Sequence, residues 1–139
     1  MNITRVVKFI RKGAPGKDAV RYWLVPSVTS VTMTNIGDGD GTPNPRRVSC
    51  RLMKQTGEEV PILVTDPSLE GLTITFQQNR NDMGSLPSEY NGNEKPVPTN
   101  TAYTSIVFCL HRGNLLVDTV TIPIVRDGDK GDKGENGLN

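Results

Sequence analysis

Two alternating runs close to the C-terminal end constrain the fold more than any other feature. In 102–111, Ile106, Phe108 and Leu110 occupy every second position, and in 115–125 Val120, Ile122 and Ile124 do the same. A period of two lines up one face of a β-strand, whereas a helix would scatter these residues around its surface. Arg112-Gly113-Asn114 between the runs is turn chemistry, so the pair reads as a hairpin with one apolar face. No segment repeats apolar residues at helical spacing over three turns. The expected class is all-β.

Upstream, strand signals recur at the short intervals of a sandwich. The run 20–25 is apolar and aromatic and is broken by Pro26. In 28–34, Val31 and Met33 take one face and Thr32 and Thr34 the other. Residues 36–45 are almost all strand breakers and are expected to form a turn-rich connection. The run 47–54 alternates, with Val48, Cys50 and Leu52 inward and Ser49, Arg51 and Met53 outward. Gln55-Thr56-Gly57-Glu58 closes a hairpin onto 60–64, which Pro61 assigns to an edge or a bulge. After the turn Asp66-Pro67-Ser68, Leu72, Ile74 and Phe76 alternate with Thr73, Thr75 and Gln77. Residues 79–101 lack periodicity, and so long a loop is either functional or hides short strands. About seven strands between Val20 and Val125 match an immunoglobulin-like or fibronectin-like β-sandwich. The 14 glycines and 10 prolines act as punctuation within it.

Both flanks differ from this pattern. From Gly128 to Gly137 glycine falls on every third position, with Gly131 and Gly134 between. A Gly-X-Y repeat suits a collagen triple helix, whose crowded axis admits only glycine. Lys130 precedes Asp132 across a glycine, and Lys133 precedes Glu135 likewise, so staggered identical chains would pair these charges. The same composition suits a flexible charged linker. Three full triplets are too few to hold a trimer, so trimerisation requires the repeat to continue beyond Asn139. The N-terminal flank is basic: Arg5, Lys8, Arg11, Lys12, Lys17 and Arg21 stand against Asp18. Residues 3–10 read as a strand, and Gly13-Ala14-Pro15-Gly16 forms one further triplet. Such an arm suits docking on an acidic protein surface, or is a solvated strand face. The expected layout is an arm over 1–19, a sandwich over 20–126 and a short collagen-like C-terminal extension over 127–139.

The chemistry is sparse. His111 is the single histidine and Cys50 and Cys109 the two cysteines, too few and too far apart for a zinc site. No strained nucleophile turn accompanies a Ser-His-Asp set, and no phosphate-cradling glycines open a helix. Asp38 and Asp40 invite a calcium reading. An EF-hand frame turning at Gly41 would, however, begin on Ile36 and end on Arg47, so a tight polar hairpin tip fits better. No cofactor and no catalysis are expected. Cys50 and Cys109 sit where an immunoglobulin domain bridges its sheets, but on opposite faces, so two free thiols are expected. Trp23 precedes both. A net charge of +1 argues against nucleic-acid binding, and no apolar run reaches membrane-spanning length. The charged first residues do not form a secretory signal, which points to synthesis and assembly inside a cell. Within 79–101, Arg80, Asp82, Glu89, Tyr90 and Asn91 combine charge, amide and an aromatic face, as a sugar site does; they are also ordinary loop residues.

The arrangement resembles a known kind of module. Tyr22-Trp23-Leu24-Val25-Pro26 opens it, an Asp-Gly-rich turn and Pro45-Arg46-Arg47-Val48-Ser49-Cys50 follow, and Val120-Thr121-Ile122-Pro123-Ile124-Val125-Arg126-Asp127-Gly128 runs into the triplets. It is similar to immunoglobulin-like units joined by collagen-like spacers in tail-fibre and baseplate-associated proteins of tailed bacteriophages and prophages of gut bacteria. That resemblance covers roughly 20–137 and rests on architecture, with no catalytic or ligand residue carried over. It implies a virion structural protein, assembled in the host bacterial cytoplasm, with Arg5, Lys8, Arg11 and Lys12 on a docking arm. The implied partners are its own copies in a homotrimer and other tail or baseplate proteins. A host-surface glycan or receptor at the 79–101 loop is the alternative. A non-viral surface adhesin fits less well without an export signal.

Overall fold

The inner faces of two antiparallel-rich sheets meet in one cluster of buried side chains in the computed structural model, which describes residues 19–81 and 85–127 and the backbone of 133–134 and 136–137. The first sheet holds three strands in the order β1 (Val20–Pro26), β5 (Cys50–Thr56) and β6 (Ile62–Val64). The second holds six, in the order β3 (Asp40–Asn44), β2 (Val31–Gly37), β11 (Leu115–Arg126), β10 (Tyr103–Arg112), β7 (Thr73–Arg80) and β8 (Ser88–Glu89). A two-stranded pairing joins β4 (Arg47–Val48) to β9 (Lys95–Pro96). The chain is all-β, and its fully described helical element is one 3-10 turn, Pro67–Glu70.

The core follows from alternation. Ile106, Phe108 and Leu110 on β10 and Ile122 on β11 are fully buried. Leu24, Val48 and Leu52 from the opposite side close over them. Phe108 lies opposite Phe76 across β10–β7 and opposite Val120 across β10–β11. A one-residue slip of β10 would send Val107 and Cys109 inward and expel Phe108, so burial fixes the register. Three rings fill the centre: Phe108 sits 5.4 Å from Phe76 and 4.9 Å, edge-on, from Tyr90. Burying each such ring contributes about 1.5–3 kcal/mol.

Several expectations are met at the level of single residues. Val31 and Met33 are both fully buried, as are Val48, Cys50 and Leu52 nearly so. β6, preceded by Pro61, is the edge of its sheet. Cys50 and Cys109 are free, with Cys109 on the outward face, its sulfur 3.4 Å from the Thr119 hydroxyl. Trp23 is half-buried, with the Arg21 guanidinium 5.3 Å above its ring.

Two expectations require correction. Residues 36–45 are not merely a connection: β3 pairs with β2 there. Asp38 and Gly39 both have positive φ, 56° and 82°, which gives a two-residue turn whose twist matches a hairpin. Gly41 lets β3 lie close to the core, since a Cβ there would come 2.7 Å from the Met33 side chain. The 79–101 stretch, read as a loop, begins with the end of β7 and contains β8 and β9, each two residues long. Such strands are too short to show a period. The expected strand at 3–10 and the Gly13–Gly16 triplet lie outside the described residues. Past β11, the backbone of Lys133–Gly134 (β12) pairs in parallel with Asn136–Gly137 (β13).

Candidate functional site

The two sides of the three-stranded sheet end differently, and that difference creates the site. β1 leaves its sheet at Pro26, and after Ser27–Ser30 the chain enters the six-stranded sheet as β2, parallel to β11. This crossover ties the sheets together on one side. Asp118 of β11 reinforces the tie: its Oδ2 accepts a 2.8 Å hydrogen bond from the Leu24 amide on β1, and its Oδ1 accepts from Thr119 N at 2.9 Å. The inward carboxylate thereby blocks the free edge of β1.

On the other side the chain also crosses, from β6 through the 3-10 turn to β7, but this crossing leaves a gap between the sheets. Between β5–β6 and the segment around β8 lies a cleft of ≈ 530 Å³. Leu52, Leu72 and Ile74 supply its apolar floor, and Asp66, Glu89 and Asn91 lie around its mouth. The wall is held by local chemistry. Asp66 caps the 3-10 turn by accepting from Ser68 N at 3.2 Å, and Gly71 ends that turn in the left-handed region at φ 73°. Asn91 accepts from Asn93 N at 3.1 Å, which shapes the turn after β8. A second, wider depression of ≈ 550 Å³ lies beside Tyr22, Trp23 and the exposed Leu115 and Leu116.

At one end of the sheet a polar cluster joins four elements. Glu70 Oε1 accepts from the Tyr22 hydroxyl at 2.7 Å and from Lys54 Nζ at 3.0 Å. The Arg112 guanidinium lies 5.3 Å over the Tyr22 ring. The Tyr22 hydrogen bond, then that from Lys54, hold the Glu70 carboxyl below its ordinary range. The bond to Glu70, followed by burial, raises Tyr22, and the same carboxylate raises Lys54. The cluster is a brace, since each of its polar groups is already engaged by another.

The chain matches no family model, no curated protein and no solved structure.

Of the sugar-site residues expected in 79–101, Glu89 and Asn91 reach the cleft exposed. Tyr90 contradicts its assignment as an exposed stacking face. It is 4% exposed, packs on Phe108, and its hydroxyl accepts a 3.2 Å hydrogen bond from Cys50 N. Burial raises its hydroxyl pKa, and burial likewise pushes the Cys50 thiol up to about 12. The buried amide of Cys50, at the start of β5, needs an acceptor, and the tyrosine supplies it. Arg80 is remote from the mouth of the cleft, its guanidinium 5.2 Å over the Tyr103 ring. Asp82 lies outside the described residues. So do Arg5, Lys8, Arg11 and Lys12, and Gly128, Lys130, Gly131, Asp132 and Glu135; Lys133, Gly134 and Gly137 are described as backbone alone.

Sequence reasoning missed Asp118, Glu70 and Leu63. Asp118 carried a signal, a carboxylate in the middle of an apolar strand, which calls for a specific partner. His111 lies opposite Thr73 and reaches diagonally across the strands to Thr75, Nε2 to hydroxyl 3.3 Å. Among the described residues no three His, Cys, Asp or Glu gather as a metal site, and no helix is long and apolar enough to cross a membrane.

Proposed function

We propose that the protein is a non-enzymatic structural module of a bacteriophage virion, an attachment or stalk unit of a tail fibre or baseplate appendage that self-associates as a trimer. The observation that carries this reading is the continuity of β11 with the glycine triplets: the strand runs to Arg126, and the repeat starts at Gly128. In that reading, a spacer that begins so soon after the longest described strand carries the orientation of the domain to whatever follows. An immunoglobulin-like sandwich is the finer fold we infer. Its support is the crossover from β1 to β2 and the parallel pairing of β2 with β11, beside the antiparallel series β11, β10, β7. In that reading Arg5, Lys8, Arg11 and Lys12 lie on the arm that meets other tail or baseplate proteins. Light scattering at micromolar concentration tests the assembly. A mass three times 15.2 kDa would show that contacts besides the three triplets hold the copies together, and a monomer would count against the fibre reading.

A host-surface glycan or receptor site is the second reading, and the cleft favours it because Glu89 and Asn91 lie together at its mouth. Glycan-array binding lost in Asn91→Ala and Glu89→Gln would support it. Tyr90→Ala is a poor probe, because it removes a core ring.

A further inference from the structure

Each sheet ends in an open strand at the cleft. β6 is a terminal strand of one sheet and β8 of the other, and residues of both line it. Among the described residues, β5 is the one pairing partner of β6, and no hydrogen bond reaches its outer edge. Bare edges of this kind accept a further strand, whose main-chain hydrogen bonds give affinity while pockets for alternate side chains give specificity. β6 is the better template of the two. It has three residues against two, and its Ile62 and Leu63 are 57% and 51% exposed, where β8 offers Ser88 and Glu89.

The cleft supplies the pocket. Val64 lies opposite Leu52, both line the cleft, and its floor continues through Leu72 and Ile74. A residue added opposite Val64 would share that face and enter the cleft, while its neighbours would point to the other face. An apolar side chain suits this position, since the space of ≈ 530 Å³ is floored by leucine and isoleucine. Charge specifies the rest. Glu58 and Glu59 are exposed just before β6, Asp66 and Glu89 stand at the mouth, and Glu94 follows the lining residue Asn93, against Arg51. Lys54, opposite Ile62, is already paired with Glu70, and among the described residues Glu89 has no ion-pair partner.

We infer that the cleft binds an extended segment of another protein, in which apolar residues alternate with lysine or arginine, added as a strand to the outer edge of β6. The apolar residues enter the cleft and the cations meet its acidic rim. A second copy presenting the same edge is disfavoured, because pairing β6 with β6 would bring two acidic rims together. The inference does not rest on the virion role, and it gives the cleft a peptide in place of a glycan.

Amide hydrogen exchange and calorimetric titration on the full chain test it, with a capped seven-residue peptide alternating lysine and valine as the probe. Alone, the protein exchanges freely at the β6 amides that face away from β5, and the probe protects them. N-methylating two adjacent central amides of the probe removes a donor on either side of the strand and leaves its charge unchanged; protection and binding are then lost. A lysine–serine probe of equal charge binds about tenfold more weakly, for the loss of one buried valine. Glu89→Gln weakens the lysine–valine probe by about 1.4- to 5-fold, the range one surface ion pair supports. Amides of β6 already protected without the probe would mean that the chain itself or a second copy fills the edge, and would overturn the inference. So would a methylated probe that binds as well as the original, or a lysine–valine probe that does not bind. A glycan held at the cleft while that probe fails would keep the glycan reading and overturn this one.

Discussion

β1 and β6 are the two edges of the same sheet, yet one is closed and the other is open. At β1 the chain itself crosses to the other sheet, and Asp118 takes the Leu24 amide that would otherwise face outward. At β6 the chain also crosses, through Pro67–Glu70 to β7, but the strand is three residues long and Ile62 and Leu63 stay exposed. The half-buried Asp118 carboxylate is tolerated on the β1 side because both of its oxygens accept from backbone donors. The contrast teaches that a crossing reinforced by a carboxylate on the edge amide closes the β1 side, whereas the crossing through Pro67–Glu70 leaves a cleft beside it. Stability and binding are thus expected to separate by side.

The sharpest attempt to break that separation is at Tyr90, on the open side but beneath the cleft. If the open side is loose throughout, Tyr90→Ala is mild. The ring's contacts with Phe108 and Phe76 and its bond to Cys50 N predict instead a loss of about 3–5 kcal/mol in denaturant unfolding. The next largest effect belongs to the closed side. Asp118→Ala leaves the Leu24 amide without its acceptor and costs about 1.5–3 kcal/mol. Asp118→Asn, which keeps one carbonyl oxygen, recovers part of this. A negligible cost for Asp118→Ala would mean that the crossover alone closes the β1 side.

How much of this contrast was legible in the residues depends on length and on pairing. β5, β7, β10 and β11 were, since Leu52, Ile74, Phe108 and Ile122 each lie in a run long enough for period two to show. β3 was hidden by Thr42-Pro43-Asn44, breakers that pair with β2 because Asp38-Gly39 turns tightly. β8 and β9 were hidden because two residues carry no period. Tyr90 misled for a different reason. A tyrosine among Asn, Gly and Glu looks exposed, and what buries it is a donor forty residues away at Cys50. Of the cleft, Glu89 and Asn91 came from the sequence; Leu63 and Asp66, which complete its wall, became neighbours only through folding.

Titration sharpens the comparison without any change of shape. On the acid side, the folded-state pKa of Glu70 is lowered, so its contribution is present above the unfolded value and is lost as pH falls through the folded one. Glu70→Gln should therefore flatten the acid limb of the unfolding midpoint plotted against pH. An unchanged limb would show that the brace with Tyr22 and Lys54 adds nothing to stability. On the alkaline side the sign reverses. Cys50 is raised from 9.0 to about 12, so the folded state holds its proton while the unfolded chain releases it. That contribution is complete below 9 and declines as pH rises towards 12. Tyr22, Tyr90 and Lys54 are raised too and act in the same direction. Cys50→Ala, compared with wild type, isolates the thiol's share as a shallower alkaline decline.

The smallest effect is expected at the exposed edge itself. Leu63 pairs with Met53 and is half open to solvent, so Leu63→Ser removes little buried area. The unfolding free energy should change by no more than about 0.5 kcal/mol, as for other surface positions. A hydroxyl there should nevertheless disfavour any apolar occupant of the cleft, because the wall it faces would no longer exclude water. Chemical denaturation reads the first quantity and amide exchange at β6 the second. If stability fell by 2 kcal/mol or more while exchange stayed unchanged, the β6 edge would be core in all but exposure. The division between a closing side and a binding side would then fail at the position where it predicts the cleanest split.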